Sequence, residues 1–498
     1  MQVTNKRRNQ RGMAVVMTAL TMLVSIPLVG LAVDVGLLYM IRSKLYQATD
    51  AAALAGARAL ANGANVGAQA SSAEAAATSF FNANFPTAYW GTTNINFATP
   101  TVDSTTTPNY RTVTTSATVS APLYFLQILG QKTTTIAASS QAGRRDVAMM
   151  LVLDRSSSMN YAYMGTTACA IMVTDATQFL TYFAPGRDMV GLVVFGSSVY
   201  TYPPTITFTT PDGNGNTPAS LISQINCNGN TNTDEAMFQA WSAIQNVNAA
   251  TRANVIVLMT DGRPNGFTGQ YYCKGCGTSS VDLRNNPGSC DHPYTGPLKG
   301  EAEQWAGGPH PTGETAGLSI ETATTVNGND GAAVANSAGC AMASNIAYAP
   351  PTDFSRMPAT DIHGNSVTGN YSVNNPNSPY NSAVDTLDIS SPQQIEVASV
   401  NAVDNMSTTI RTNVALQPNI YTIALEGNAP NDPPDTLLLR KMANDPTMQN
   451  DPSATAQLFW TQQNPGQTVG YFVDAPDPSQ LSAAFNSIAE RIVVRLAK

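Results

Sequence analysis

The sequence predicts a doubly wound α/β domain with a mostly parallel sheet, placed after a transmembrane helix and a small α+β stem. Three observations carry this. Gly12 to Ile41 is an apolar run with one charged residue, Asp34, and about twenty apolar residues cross a bilayer. From Asp146 onward, VAMMLVLD, MVGLVVFG, ANVIVLMTD and NIYTIAL are short continuous apolar runs, the pattern of strands buried on both faces. Helical segments stand between them, and SQLSAAFNSIAERIVVRLAK spaces Leu481, Phe485, Ile488, Ile492 and Leu496 along one face, which suits packing on a sheet.

At 498 residues the chain can hold two or three domains, each with its own core. Residues 1–12 form a basic tail with Lys6, Arg7, Arg8 and Arg11, which the positive-inside rule keeps in the cytoplasm. The transmembrane helix is assigned to residues 13–41. A cleavable signal has only about 7–15 apolar residues before its cleavage site, so the run reads as an uncleaved anchor. Everything beyond about residue 42 is then expected outside the cytoplasm. Residues 42–143 form the stem: the helical pattern continues through Leu45, Ala48, Ala52 and Ala55 to Gly63, and a second alanine-rich helix ends near Pro86. From Thr92 to Ala142 the chain is rich in Thr and Val with alternation, as in strands of a half-buried sheet. The α/β domain takes residues 146–498. Within it, about 263–390 is rich in Gly, Asn, Pro, Thr and Ser, is longer than ordinary βα loops, and reads as an insertion.

Charged residues make up 12% of the chain and the net charge is −8, so the basic face that nucleic acid requires is missing. All six cysteines follow the span, in a compartment expected to be oxidising. Cys169 and Cys227 belong to the core of the α/β domain and are the first pair expected as a disulfide. Cys273, Cys276, Cys290 and Cys340 either pair among themselves or, through CKGC, form a Cys₄ zinc site. His292, His310 and His363 stand in loop-like contexts and read as solvated.

In an open parallel sheet, ligand sites form beyond the carboxyl ends of the strands. Asp154 and Asp261 each follow such a strand, so two distant carboxylates can meet at one edge. In DRSSS, Asp154, Ser156 and Ser158 alternate, and an extended loop aims all three side chains the same way. Hard oxygen donors with few carboxylates and no His or Cys suit Mg²⁺, with Mn²⁺ as the alternative ion. The competing explanation is a helix N-cap with solvated serines.

DRSSS, a later threonine and TDG together resemble the metal-ion-dependent adhesion site of von Willebrand factor type A domains. The resemblance implies a metal held by Asp154, Ser156, Ser158, Thr231 and Asp261, with an open position for an acidic residue of a partner protein. Thr231 is the first threonine of NTNTDEAM; Thr233 is the alternative. The stretch from QRGMAVVMTAL to GARAL, and YFLQILGQKTTTIAASSQA further on, resemble the TadG-like proteins of Flp (Tad) pilus-assembly systems. That resemblance implies a single-pass protein of the bacterial inner membrane, its bulk periplasmic or extracellular, acting with an envelope component in pilus assembly, adhesion or anchoring. Pseudopilins of these systems carry a cleavage glycine and a glutamate five residues on. Here Gly12 is followed by Met17 at that place, so such processing is not expected.

No HExxH, GxSxG or GxxxxGK[ST] occurs and no base is poised at the sheet edge, so the chain is not expected to be an enzyme. The rivals are a hydrolase using the insertion, which turnover would reveal, and a structural pilus subunit without metal-dependent binding.

Overall fold

A computed structural model describes residues 8–196, 199–266, 270–273, 280–282, 346–347, 360–361, 363–367, 371, 392–426, 433–463 and 466–493. The chain divides into two compact units, one up to Arg144 and one covering Arg145–Val493.

The first unit is built on α1 (Arg8–Ala59), whose sequence keeps apolar and small residues in register for 52 residues. Its side chains from Met13 to Val29 are exposed and, apart from Thr18, Thr21 and Ser25, apolar, while Gly30, Asp34, Leu37, Ile41, Leu45, Ala48 and Ala52 form one buried stripe. These recur every three or four residues, the period of one helical face. The far end of the 13–41 span therefore doubles as the first turns of the stem core. α2 (Val66–Asn84) starts where the Asn65 side chain accepts from the Ala68 amide at 3.0 Å, satisfying an otherwise unpaired donor. β1 (Thr93–Phe97), β2 (Thr101–Thr107), β3 (Tyr110–Pro122) and β4 (Thr133–Arg145) form a sheet in which β3 pairs with all three others. Alternate residues of β3 are buried, among them Val113, Ala117, Val119 and Ala121. Thr115 shares their face because its hydroxyl donates to the Thr49 carbonyl of α1 at 3.0 Å.

The second unit begins with β5 (Val147–Asp154), the small hairpin β6 (Ala162–Tyr163) and β7 (Thr166–Thr167), and α3 (Ala168–Phe179). There follow β8 (Met189–Phe195), β9 (Val199–Thr205), α4 (Pro218–Ile222), α5 (Thr233–Val247) and β10 (Ala253–Thr260). Three short antiparallel strands, β11 (Gln270–Cys273), β12 (Ser280–Asp282) and β13 (Ile346–Ala347), make a separate small sheet. The remainder is α6 (Pro392–Arg411), β14 (Asn419–Leu425), α7 (Thr436–Ala443), α8 (Ala454–Gln463), β15 (Tyr471–Ala475) and α9 (Leu481–Val493). The main sheet runs β15-β14-β10-β5-β8-β9. It is parallel except for β9, which pairs antiparallel with β8. Every residue of β5 is buried. Met149, Leu151 and Leu153 share one core with residues of α3, α4 and α9 on one face, and Met150 and Val152 share another with residues of α5, α6, α7 and α8 on the other. Helices on both faces explain why these strands are apolar throughout instead of alternating, and the domain is doubly wound.

One expectation needs correction. His363 is not solvated: its side chain is 4% exposed, its Nε2 lies 2.7 Å from Glu235 Oε2, and its ring stacks on Phe238 at 3.4 Å between centroids. For His363 the aromatic neighbour and the carboxylate both come from α5, more than a hundred residues away, which a loop sequence cannot advertise. Within the 263–390 interval, Val367 and Tyr371 are fully buried and the Tyr371 hydroxyl donates to the Asp435 carboxylate at 2.7 Å. His292, His310, Leu496 and the side chains of Cys273, Cys276, Cys290 and Cys340, with the zinc alternative, lie outside the described residues.

Candidate functional site

Parallel pairing sets β5 level with both neighbours: Leu153 stands opposite Met259 of β10, and Asp154 opposite Phe195 of β8. Three strands thus end together, and the loops leaving them converge. Asp154 is the last residue of β5 and Asp261 follows β10 directly; both are fully buried.

The Asp154 carboxylate is held from two sides. Its Oδ1 accepts from the Ser156 amide at 2.7 Å, and its Oδ2 accepts from the Thr260 hydroxyl at 2.5 Å. Ser156 Oγ lies 2.8 Å from Ser158 Oγ, and Ser158 Oγ donates to Asp261 Oδ1 at 2.7 Å. A hydroxyl has one proton. Ser158 places its proton on Asp261, so the Ser156 proton goes to Ser158. With both protons committed, the lone pairs left on these oxygens can only accept, which is the role of a ligand to a hard cation.

The helix-cap explanation of the serines fails at this point. Ser157–Asn160 is a short 3₁₀ turn, and Ser156 at its N-cap makes no side-chain capping bond.

A second loop is fastened against the first. The Ser157 amide and hydroxyl both donate to the Gly229 carbonyl at 2.9 Å, the Asn228 amide donates to the Arg155 carbonyl at 2.6 Å, and Asn160 Nδ2 donates to the Cys227 carbonyl. Gly196 makes room for it: a Cβ there would stand 2.9 Å from the Asn228 carbonyl oxygen, nearer than real side chains come. Cys227 is tied to Cys169 of α3 by a disulfide with a Cα separation of 6.1 Å, the pairing expected from the sequence.

Thr231 is buried in this loop. Its amide donates to Asn265 Oδ1 at 2.7 Å and its carbonyl accepts from the Asn265 amide at 3.1 Å. Thr233 opens α5, and its buried hydroxyl has no hydrogen-bond partner among the described residues. The structure joins Asp154, Ser156, Ser158 and Asp261 by hydrogen bonds and brings up Thr231 on the adjoining loop.

Sequence reasoning missed three neighbours. Thr260 orients Asp154, and its signal was the hydroxyl directly before the second aspartate. Asn265 brackets Thr231 from 34 residues away. Tyr161 has its phenol pushed up by burial, then by the carboxylates of Asp261 and Asp477; nothing in the local pattern marks it.

Among the described residues no group of three or more His, Cys, Asp or Glu side chains could hold a metal ion. The donor set at the sheet edge is hydroxyl-rich instead, and that chemistry fits Mg²⁺ or Mn²⁺ and disfavours Zn²⁺.

Residues 149–263 match the family model of the von Willebrand factor type A domain, and residues 12–59 match that of Flp pilus-assembly TadE/G-like proteins. No curated protein matches the chain. Among solved structures it is similar to the pilus adhesin SpaC from Lactobacillus rhamnosus GG, at 13% identity and a TM-score of 0.32, over 80% of this chain and 34% of that one. It is similar to the vWF domain of the type V pili tip protein Mfa5 from Porphyromonas gingivalis, at 13% identity and a TM-score of 0.30, over 70% of this chain and 95% of that one. A third likeness is to the pilus adhesin RrgA from Streptococcus pneumoniae, at 11% identity and a TM-score of 0.29, over 80% and 49% of the two chains. The chain spans about a third of the length of SpaC.

Proposed function

We propose that this chain, which carries a TadE/G-like segment ahead of a von Willebrand factor type A domain, is a membrane-anchored, non-enzymatic component of a Flp (Tad) pilus system that binds a partner protein through a divalent cation. The observation that carries this is the run of hydrogen bonds from Ser156 through Ser158 to Asp261, which leaves both serine oxygens as acceptors beside two buried carboxylates. Asp154, Ser156, Ser158, Thr231 and Asp261 would hold Mg²⁺ or Mn²⁺. When bound, the ion would supply positive charge at the sheet edge, and because three of the five donors are neutral hydroxyls, less of it would be neutralised than in a carboxylate cage, so that a Glu or Asp of the partner is attracted to complete the shell. The basic residues before α1 favour an N-terminus in the cytoplasm and an α/β domain on the far side of the inner membrane.

The test is calorimetry of Mg²⁺ and Mn²⁺ binding to the full chain in nanodiscs, with and without acetate as a stand-in carboxylate. The parent should bind one ion, and Ser156→Ala and Asp154→Ala should each lose it while circular dichroism stays unchanged. A folded parent that binds neither ion in either condition sinks the proposal and leaves the structural-subunit alternative.

A further inference from the structure

We infer that the loop between β3 and β4 is a second membrane contact, seated in the bilayer interface on the stem side of α1. This rests on α1 crossing the membrane, and α1 is the one helix among the described residues long and apolar enough to do so.

Asp34 is the only acidic or basic residue between Gly12 and Ile41, and it is fully buried. Its Oδ1 accepts from the Tyr124 amide at 2.9 Å, and its Oδ2 accepts from the amides of Phe125 at 3.0 Å and Leu126 at 2.8 Å. A carboxylate in an apolar helix is costly unless it is satisfied. Here three backbone donors from the loop satisfy it. One turn back along α1, the Phe125 ring lies against Gly30, where a Cβ would fall 2.5 Å from the ring. The amides and the ring together set the height of the loop along the helix.

That height matches a bilayer boundary. At about 1.5 Å per residue, Asp34 stands roughly 30 Å from Met13, the thickness of a hydrocarbon core. The loop's outward side chains suit such a depth: Tyr124 is 50% exposed, Phe125 39% and Ile128 81%. They continue the exposed apolar surface of α1 at Val33, Val35 and Tyr39. In water this would be a contiguous apolar patch without a partner, whereas aromatic side chains are favoured at membrane interfaces. The patch is continuous with the surface of α1 that faces lipid, so lipid is the occupant. The first cations beyond it, Arg42 on α1 and Lys132 at the loop exit, are placed for headgroups.

The experiment places nitroxide labels at Ile128→Cys, Val16→Cys and Met164→Cys in the oxidised full chain, reconstituted in vesicles of phosphatidylethanolamine and phosphatidylglycerol. The parent taken through the same labelling is the blank. Collision with oxygen and with a water-soluble nickel chelate reports depth. The label at 128 should meet severalfold less nickel than that at 164 and more than that at 16, and Asp34→Asn should raise nickel access at 128 while leaving 16 unchanged. Nickel access at 128 equal to that at 164, with 16 still shielded, overturns the loop contact alone. Full access at 16 overturns the membrane span and the loop contact together. Spin–spin broadening between labels at 128 on different copies overturns the lipid assignment in favour of a second copy.

Discussion

Ser158 connects the two halves of the candidate site, because its single proton lies on Asp261 and its lone pair receives Ser156. Two threonines stand near enough to offer the remaining hydroxyl of the proposed cation site. Thr231 sits beside the serine loop with its backbone clamped by Asn265, and Thr233 has a buried hydroxyl with no hydrogen-bond partner among the described residues. Valine keeps the shape of threonine and deletes the oxygen. Thr231→Val should weaken Mg²⁺ binding by at least about tenfold, the scale on which even outer-shell partners act, while Thr233→Val leaves it near the parent value. Calorimetry that gives the opposite order reassigns the ligand to Thr233. The four residues that the structure joins by hydrogen bonds were legible in DRSSS and TDG because strand ends and side-chain alternation are local properties. Tyr161 was not, since its place near Asp261 depends on the fold and on no spacing within the sequence.

Among elements, α5 links the candidate site to the 360–367 segment. Its first turn carries Asp234 and Glu235, an arrangement that suits the positive end of a helix. Glu235 meets His363, and Asp234 is buried beside Asp361. Burial first, then the negative charge of the Asp361 carboxylate, pushes the Asp234 carboxyl well above the ordinary 3.8. The folded chain therefore keeps a proton that the unfolded chain releases, and stability falls as pH rises from 3.8 toward the raised value. Asp234→Asn retains the shape and has no proton to lose. Its stability advantage over the parent, read from urea unfolding at a series of pH values, should grow through that window and level off above it. An advantage independent of pH would mean that Asp234 is ionised in the fold. On the other side of the site, the Cys169–Cys227 bond spans 58 residues, and in the chain-entropy model it contributes about 4 kcal/mol. It also anchors the loop that bears Thr231.

At the scale of the whole molecule, the arrangement of basic tail, apolar helix, stem and α/β domain sets which compartment the candidate site faces. A reporter active only outside the cytoplasm, fused after Lys498, should be active. Activity confined to a cytoplasmic reporter at that position would reverse the orientation and remove the partner class proposed here. The sequence by itself determined the membrane helix, the alternating stem strands, the buried parallel strands and the two aspartates at their ends. Each of these is written in residues a few positions apart, where the periods of helix and strand act. Only the tertiary structure decided that Asp34 is held by the amides of residues 124–126, that His363 is buried against Glu235 and Phe238, and that Thr260 and Asn265 brace the site. The physical reason is that a buried polar group must find its partner wherever the chain brings one, and for these residues the partner comes from a different strand, helix or loop.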